Sequence, residues 1–289
     1  MSRRRPVDLF AEIAALRAEG APAALATVVG VRGSAPARDA MHLLVRADGS
    51  ARGTVGGGAL EEELRRLGLE AIATDESRRA VIEIGVEAAD DTEMVCGGAV
   101  EVFVEPLTVP TCWIFGAGHL AAAVAPVARV AGFRVVVADD RPTHASPERF
   151  PDADTCIALP YPALLADVAP KLGQASWCVV VTRSHRLDED CAEACLRAGA
   201  RWVGMIGSGK KVAACRSALA ARGVAADDVA RLRAPVGLDL DARTHGEIAV
   251  AIVAEMIAVR RRSPLADATK AAAARAKPDS GDGRGGPAR

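Results

Sequence analysis

Apolar residues recur at helical spacing from Leu9 through Ile13 to Leu16, with Asp8 placed to cap the start and Gly20 to stop the turn. A continuous apolar run, AALATVVGV at 23–31, then predicts a buried strand that ends in the loop RGSAPAR. The stretch MHLLVRADGSARGTV predicts a hairpin turning at Asp48-Gly49. Three glycines follow, and a helix is expected over 59–73. RAVIEIG and AVEVFVEP predict two more strands. In the second, Val100, Val102 and Val104 alternate with Glu101, Phe103 and Glu105, the mark of a strand with one buried face.

Past Pro106 and Pro110 the pattern changes to a strict succession of strand and helix. TCWIFG, a helix to about Val130, RVVVADD, a proline-rich loop, DTCIAL and a helix from Tyr161 come first. SWCVVVTRS, a helix from Asp188, RWVGMIG, another helix and a last helix over 246–262 complete it. Such alternation predicts a parallel, doubly wound sheet with helices on both faces. The fold class is therefore α/β: a small N-terminal α+β domain over 1–106, then a Rossmann-like domain over 111–262. The remainder, 263–289, has the composition of a disordered tail.

Composition narrows the function classes. Aromatics make up only 3% of 289 residues, so Val, Leu, Ile and Ala must build the core. A net charge of −1 gives no bulk attraction for nucleic acid or an anionic membrane, so neither is expected as a partner. No apolar run reaches the length of a membrane span. The basic start MSRRRP lacks a following apolar region, because Asp8, Glu12 and Arg17 interrupt it, so no export signal is expected. Seven cysteines without a CxxC pair fit reduced thiols and a cytoplasmic location.

Several turns carry candidate chemistry. FGAGHLA places Gly116, Gly118 and Ala121 in the dinucleotide-binding pattern between a strand and a helix, and Asp139 follows about twenty residues on, where an acid would hold a ribose. The same turn also occurs for packing geometry alone, and His119 stands where cofactor phosphates would sit. GTVGGG has Walker-like spacing without the Lys-Ser pair, so an ATPase loop is not expected. Gly56, Gly57 and Gly58 precede three glutamates, which complement the helix dipole and are expected to face outward. Cys96, flanked by Gly97 and Gly98, is either an accessible thiol or a small buried hydrophobe. VTRSHRLDED sets Arg183, His185 and Asp188 at the carboxyl end of a central strand. His185 and Asp188 there make either an acid–base pair or a surface histidine beside a helix cap. IGSGKK, with Gly207, Ser208 and Lys211, is an anion site or an ordinary helix start. Cys191 and Cys195, four apart on a helix, lack the further ligands a zinc site needs.

Taken in order, GSAPAR, GTVGGGALE, MVCGG.VEVFVEP, FGAGHLA, DDRP, VTRSH..DE, IGS.KK and PVGLDLDARTHGEIAVAIVAE resemble the xanthine dehydrogenase accessory protein (XdhC/CoxI) family. The resemblance implies a chaperone, usually dimeric, that binds molybdenum cofactor and holds it while sulfur replaces an oxo ligand. The chaperone then delivers the cofactor to an apo molybdenum hydroxylase, with a cysteine desulfurase as the other partner. Gly56–Gly58 and Cys96–Gly98 become the candidate pterin pocket, with Cys96 as the metal-facing thiolate. Gly116, Gly118, His119, Asp139, Arg183, His185, Gly207, Ser208 and Lys211 become candidate phosphate or dinucleotide contacts. No catalytic residue is assigned. Ala59 stands where some relatives carry a cysteine, so Cys96 is the lone thiol of the first domain. The alternative is an NAD(P)-dependent oxidoreductase with His185 as the polarising group.

Overall fold

The computed structural model describes residues 8–84 and 98–263. The predicted first helix, α1 (Leu9–Glu19), forms with Asp8 accepting from the Ala11 amide and Gly20 left-handed at its end. β1 (Ala23–Arg32), β2 (His42–Arg46), β3 (Ala51–Gly53), α2 (Gly58–Thr74), β4 (Arg78–Ile84) and β5 (Gly98–Pro106) complete the first unit. Its five strands form an antiparallel sheet in the order β3-β2-β1-β5-β4. The alternation in β5 is realised: Val100, Val102 and Val104 are fully buried. They meet Leu60, Leu64, Leu67 and Ala71, the inward stripe of α2. Each such burial is worth about 1.5–3 kcal/mol, which is what fixes α2 on the sheet.

The second unit holds β6 (Thr111–Phe115), α3 (His119–Val130), β7 (Arg134–Asp139), β8 (Thr155–Ala158), α4 (Tyr161–Val168) and β9 (Ser176–Val180). It continues with α5 (His185–Arg197), β10 (Trp202–Met205), α6 (Gly209–Ala221), α7 (Ala226–Arg231), β11 (Leu232–Arg233) and α8 (His245–Arg260). The parallel sheet runs β11-β10-β9-β6-β7-β8, so the winding direction reverses between β6 and β9. The hydrophobic pattern does not announce α7 and β11, which are too short to show a period. One face of the sheet packs on α3 and α8 around Ile114, Val137 and Ile252. The other packs on α4, α5 and α6 around Phe115, Leu164 and Met205. Cys191 and Cys195 lie in this second core, and no metal-holding cluster occurs among the described residues.

Two features correct the sequence reading of α5. The helix begins at His185, three residues before Asp188, and Ser184 caps it by accepting from the Leu187 amide. Asp188 is not a cap but a fully buried carboxylate. At the other end of the chain, Glu255 is buried inside α8 and accepts from the Gly237 amide at 2.7 Å, holding the loop PVGLDL against the helix.

The two units meet at the amino ends of the parallel strands. Arg201, just before β10, donates to the Ala73 and Thr74 carbonyls at the end of α2. Arg260 pairs with Asp75 at 3.0 Å, and a side chain on Gly20 would touch Thr111.

Candidate functional site

Three segments far apart in sequence converge in the first unit. Gly56, Gly57 and Gly58 have φ of 112°, 84° and 63°, a left-handed run that only glycine adopts without strain. Pro36, in the loop after β1, packs so closely on Gly56 that an added Cβ would lie 2.8 Å from it. Gly98 backs onto the same loop, where a Cβ would meet the Ser34 carbonyl at 2.5 Å. Ala37 and Val55 anchor the two loops in the core. By contrast, nothing lies within 4 Å of a Cβ on Gly57 or Gly58, so that side of the turn is open. Cys96 and Gly97 lie outside the described residues.

The glutamates after the turn do not all face outward. Glu62 and Glu63 do, pairing with Arg65 and Arg66. Glu61 folds back instead, and its Oε1 accepts from the Thr54 hydroxyl at 2.8 Å and the Gly57 and Val55 amides at 3.1 and 3.4 Å. The Gly56 amide donates to Thr54. The turn therefore carries its own anion, and its amides are not a free cradle for a phosphate. Positive charge comes from side chains instead. Arg32 ends β1, Arg38 lies in the Pro36 loop and Arg52 lies in β3. All three are exposed, and none has an ion-pair partner among the described residues.

The second candidate cluster stands at the carboxyl edge of the parallel sheet. Gly116 has φ 108°, and a Cβ there would strike the Val181 carbonyl at 2.4 Å, so this glycine lets β6 and β9 close together. Gly118 caps α3 with no side-chain hydrogen bond, and the space around it is open. His119 is exposed and stacks on His245, ring centres 5.9 Å apart.

Asp139 is 1% exposed and fully engaged. Its Oδ1 accepts from the Arg141 amide and Nε at 3.0 and 2.7 Å, and its Oδ2 from the Ala117 amide and Arg141 Nη2, both at 2.8 Å. A carboxylate has about four acceptor positions, and all four are filled. Burial pushes this carboxyl's pKa up, but the hydrogen bonds from Arg141 and Ala117 outweigh it and hold the group well below the usual carboxylate range. The acid expected to hold a ribose thus tethers the glycine turn to Arg141.

Arg183 forks onto Asp140, one arm at 2.7 Å. Asp188 accepts from the Thr182 amide and hydroxyl at 3.0 and 2.6 Å, while its second oxygen faces Lys211 Nζ at 2.5 Å. Gly207 makes room for the Lys211 stem, since a Cβ there would lie 2.7 Å from it. Ser208 caps α6 by accepting from the Lys211 amide. His185 is exposed at the start of α5 and forms no pair with Asp188. The edge thus brings together Gly116, Gly118, Asp139, Arg183, Gly207, Ser208 and Lys211, with Arg141 and Asp140 as members the motifs left out. Arg141 had a signal, the run DDRP placing a guanidinium two residues from the acid.

A groove of about 420 Å³ lies at the opposite edge of the same sheet, lined by Glu19, Thr111, Trp113, Arg134 and Thr155. It is remote from both candidate clusters.

An antiparallel unit with an open glycine turn, joined to a doubly wound sheet with a glycine turn at its switch point, defines a two-domain protein of Rossmann type. Its relatives narrow this further. Residues 112–256 match the family description "XdhC Rossmann domain", and residues 16–85 match "XdhC and CoxI family". The chain belongs to the XdhC family. It is 33% identical over 262 residues to the uncharacterized protein YqeB of Escherichia coli (strain K12), a match that spans 89% of this chain and 47% of YqeB. It is 29% identical over 153 residues to a probable subunit of xanthine dehydrogenase from Bacillus subtilis (strain 168), spanning 53% of this chain and 44% of that protein. The chain thus spans about half the length of the curated relatives it matches. A crystal structure of a xanthine dehydrogenase from Bacillus halodurans overlays with a TM-score of 0.46 at 21% identity, covering 87% of this chain and 96% of that one.

Proposed function

We propose that this chain is a maturation factor for a molybdenum hydroxylase of the xanthine dehydrogenase kind. Its first unit binds molybdenum cofactor, keeps it while a cysteine desulfurase supplies sulfur, and passes it to the apoenzyme. The observation that carries this reading is the open face over Gly57 and Gly58, walled by the Pro36 loop and Gly98. A flat, anionic pterin fits such a face, with Arg32, Arg38 and Arg52 near enough in the chain to supply countercharge. Since Glu61 occupies the turn's amides, recognition rests on shape and guanidinium groups. Cys96 adds a soft thiolate, the ligand type suited to a sulfur-rich molybdenum centre. The oxidoreductase alternative loses its ribose acceptor, because Asp139 has no free lone pair.

The test is metal and pterin analysis after incubation with molybdenum cofactor and gel filtration. A methyl at Gly58 enters the open space, and its φ of 63° lets alanine adopt the turn at a cost of about 1 kcal/mol. Gly58→Ala and Cys96→Ala are expected to remain folded and to lose molybdenum that the native chain retains in stoichiometric amount. Equal retention by all three proteins refutes the site. A nicotinamide that co-purifies and turns over, with no molybdenum retained, refutes the function.

A further inference from the structure

We infer that the groove at the amino edge of the parallel sheet, where the two units meet, is a binding site for a free apolar α-amino acid. Arg134 takes the ligand's carboxylate, Glu19 and the ends of α1 and α4 take its ammonium, and an apolar floor takes its side chain. The site is independent of whatever the glycine turn of the first unit binds.

Strand register builds the groove. Ser176 pairs with Thr111 and Thr111 with Arg134, so these side chains form one row across β9, β6 and β7. The next row on the same face is Cys178, Trp113, Val136 and Thr155. Buried parallel strands ordinarily read as apolar runs, so a polar row at their start calls for a cause. Here α4 has ended at Val168, and residues 170–176 wall a groove of about 420 Å³ together with Glu19, Gly20 and Pro22 of the first unit. A space of that size suits a small molecule.

The polar end of the groove is open because Gly20 has no Cβ. The position a Cβ would take lies 3.3 Å from the Thr111 hydroxyl oxygen, 3.7 Å from Arg134 Cδ and 3.8 Å from Arg134 Nη1. Thr111 is 4% exposed, and its hydroxyl makes no hydrogen bond to another described residue. Arg134 is half-buried and donates through one arm to the Thr155 hydroxyl at 3.3 Å. It has no ion-pair partner among the described residues. Asp154, whose carboxyl feels the Arg134 charge, is taken by Arg129 and the Val135 amide. A guanidinium left this way offers its remaining donors to a carboxylate from outside.

The ligand's second charge follows from the other wall. Glu19 lines the same groove, is exposed, and has no ion-pair partner among the described residues. Two opposite charges therefore share one groove without pairing with each other. α1 ends at Glu19 and α4 at Val168, and the C-terminal end of a helix carries partial negative charge that favours a cation. That field works against a phosphate, which brings its full charge to a single arginine. It suits a ligand that carries an ammonium beside its carboxylate. Trp113, Val136, Ile157 and Leu172 line the rest of the groove and supply the surface for an apolar side chain.

Titration of the full chain with leucine and phenylalanine, followed by tryptophan fluorescence, tests the proposal. Trp113 lines the groove, whereas Trp177 and Trp202 belong to the core on the other face of the sheet. The response should therefore be saturable and should vanish in Trp113→Phe. Leucinamide, which lacks the carboxylate, is expected to bind about tenfold more weakly than leucine, the loss of the charge-assisted fork. Isocaproate, which lacks the ammonium, should bind about threefold more weakly, a smaller loss because Glu19 is exposed. Glycine should bind about tenfold more weakly or worse, since it buries no apolar side chain. These comparisons use the native chain and do not depend on how a variant folds. Arg134→Gln should weaken leucine about tenfold and leave leucinamide as it is with the native chain, which a merely structural arginine would not do. Four results overturn the proposal: no saturable response to either amino acid, a response that persists in Trp113→Phe, leucinamide or isocaproate binding as tightly as leucine, or inorganic phosphate binding more tightly than leucine.

Discussion

Replacing Asp139 with Asn separates a structural acid from a ribose-binding one. In the native chain the carboxylate holds Arg141 in a two-armed pair and receives two backbone amides. An asparagine keeps one oxygen and turns a second donor toward donors, leaving the guanidinium facing an amide group. Removing one partner of a buried pair costs about 3–5 kcal/mol. The Arg141 side chain is 34% exposed, so water recovers part of its charge and the lower end, about 3 kcal/mol, applies. At about 2–4 °C per kcal/mol for a unit of this size, the melting temperature falls by about 6–12 °C. All three tryptophans, Trp113, Trp177 and Trp202, lie in the second unit, so tryptophan fluorescence reports its unfolding alone. The same pair gives a pH signature. Asp139 has a folded pKa below its unfolded one, so its contribution is complete above the ordinary carboxylate range. That contribution is lost as pH falls through that range toward the depressed value. The Asn variant should therefore lose less stability than the native chain below about pH 4. A melting point within about 2 °C of native refutes the argument and returns Asp139 to a ligand role.

Two further perturbations test other parts of the structure. Glu61→Ala removes the acceptor for Thr54, Val55 and Gly57 and should cost about 2 kcal/mol, with Glu61→Gln recovering about half. Faster hydrogen exchange at the Val55 and Gly57 amides is the readout, and unchanged exchange refutes the tether. Burial pushes the Cys112 thiol up to about 12, and burial with neighbouring charge or thiol holds Cys191 and Cys195 well above the usual range. Iodoacetamide at pH 8 should leave these three unmodified in the native chain, as mass spectrometry of digests would show; modification before unfolding contradicts the buried placement.

The parts legible in the sequence are those set by local spacing. The Val100–Val104 alternation fixes a face because side chains along a strand alternate, and Gly116 is readable because a tight turn needs a residue without Cβ. Ser184 carries a weaker signal: a serine suits a cap, but Leu187 holds the third helical position where a capping box has its acid, and Asp188 stands one residue later. Other features depend on where the chain goes next. Glu61, Glu62 and Glu63 are indistinguishable as letters, yet only Glu61 sits one helical turn from Gly57 on the side where the loop returns. The Asp140–Arg183 strap joins residues 43 positions apart, and only the strand order β9-β6-β7 makes them neighbours. Thr111 and Arg134 carry no motif at all; only the strand register sets them side by side.

The placement of the two candidate sites constrains how the protein can use them. The units touch where α2 ends, at Ala73, Thr74 and Asp75, and where the parallel strands begin, at Thr111 and Arg201. The open glycine turn is at the other end of α2, whose 17 residues span about 25 Å at 1.5 Å each. The Arg183 strap is at the far end of strands that begin at the contact, about 15 Å away for five residues. Both sites thus point away from the interface that joins the units. Arms of about 25 Å and about 15 Å from a shared contact place the two sites about 10–40 Å apart, so one ligand spans both only where the arms run nearly parallel.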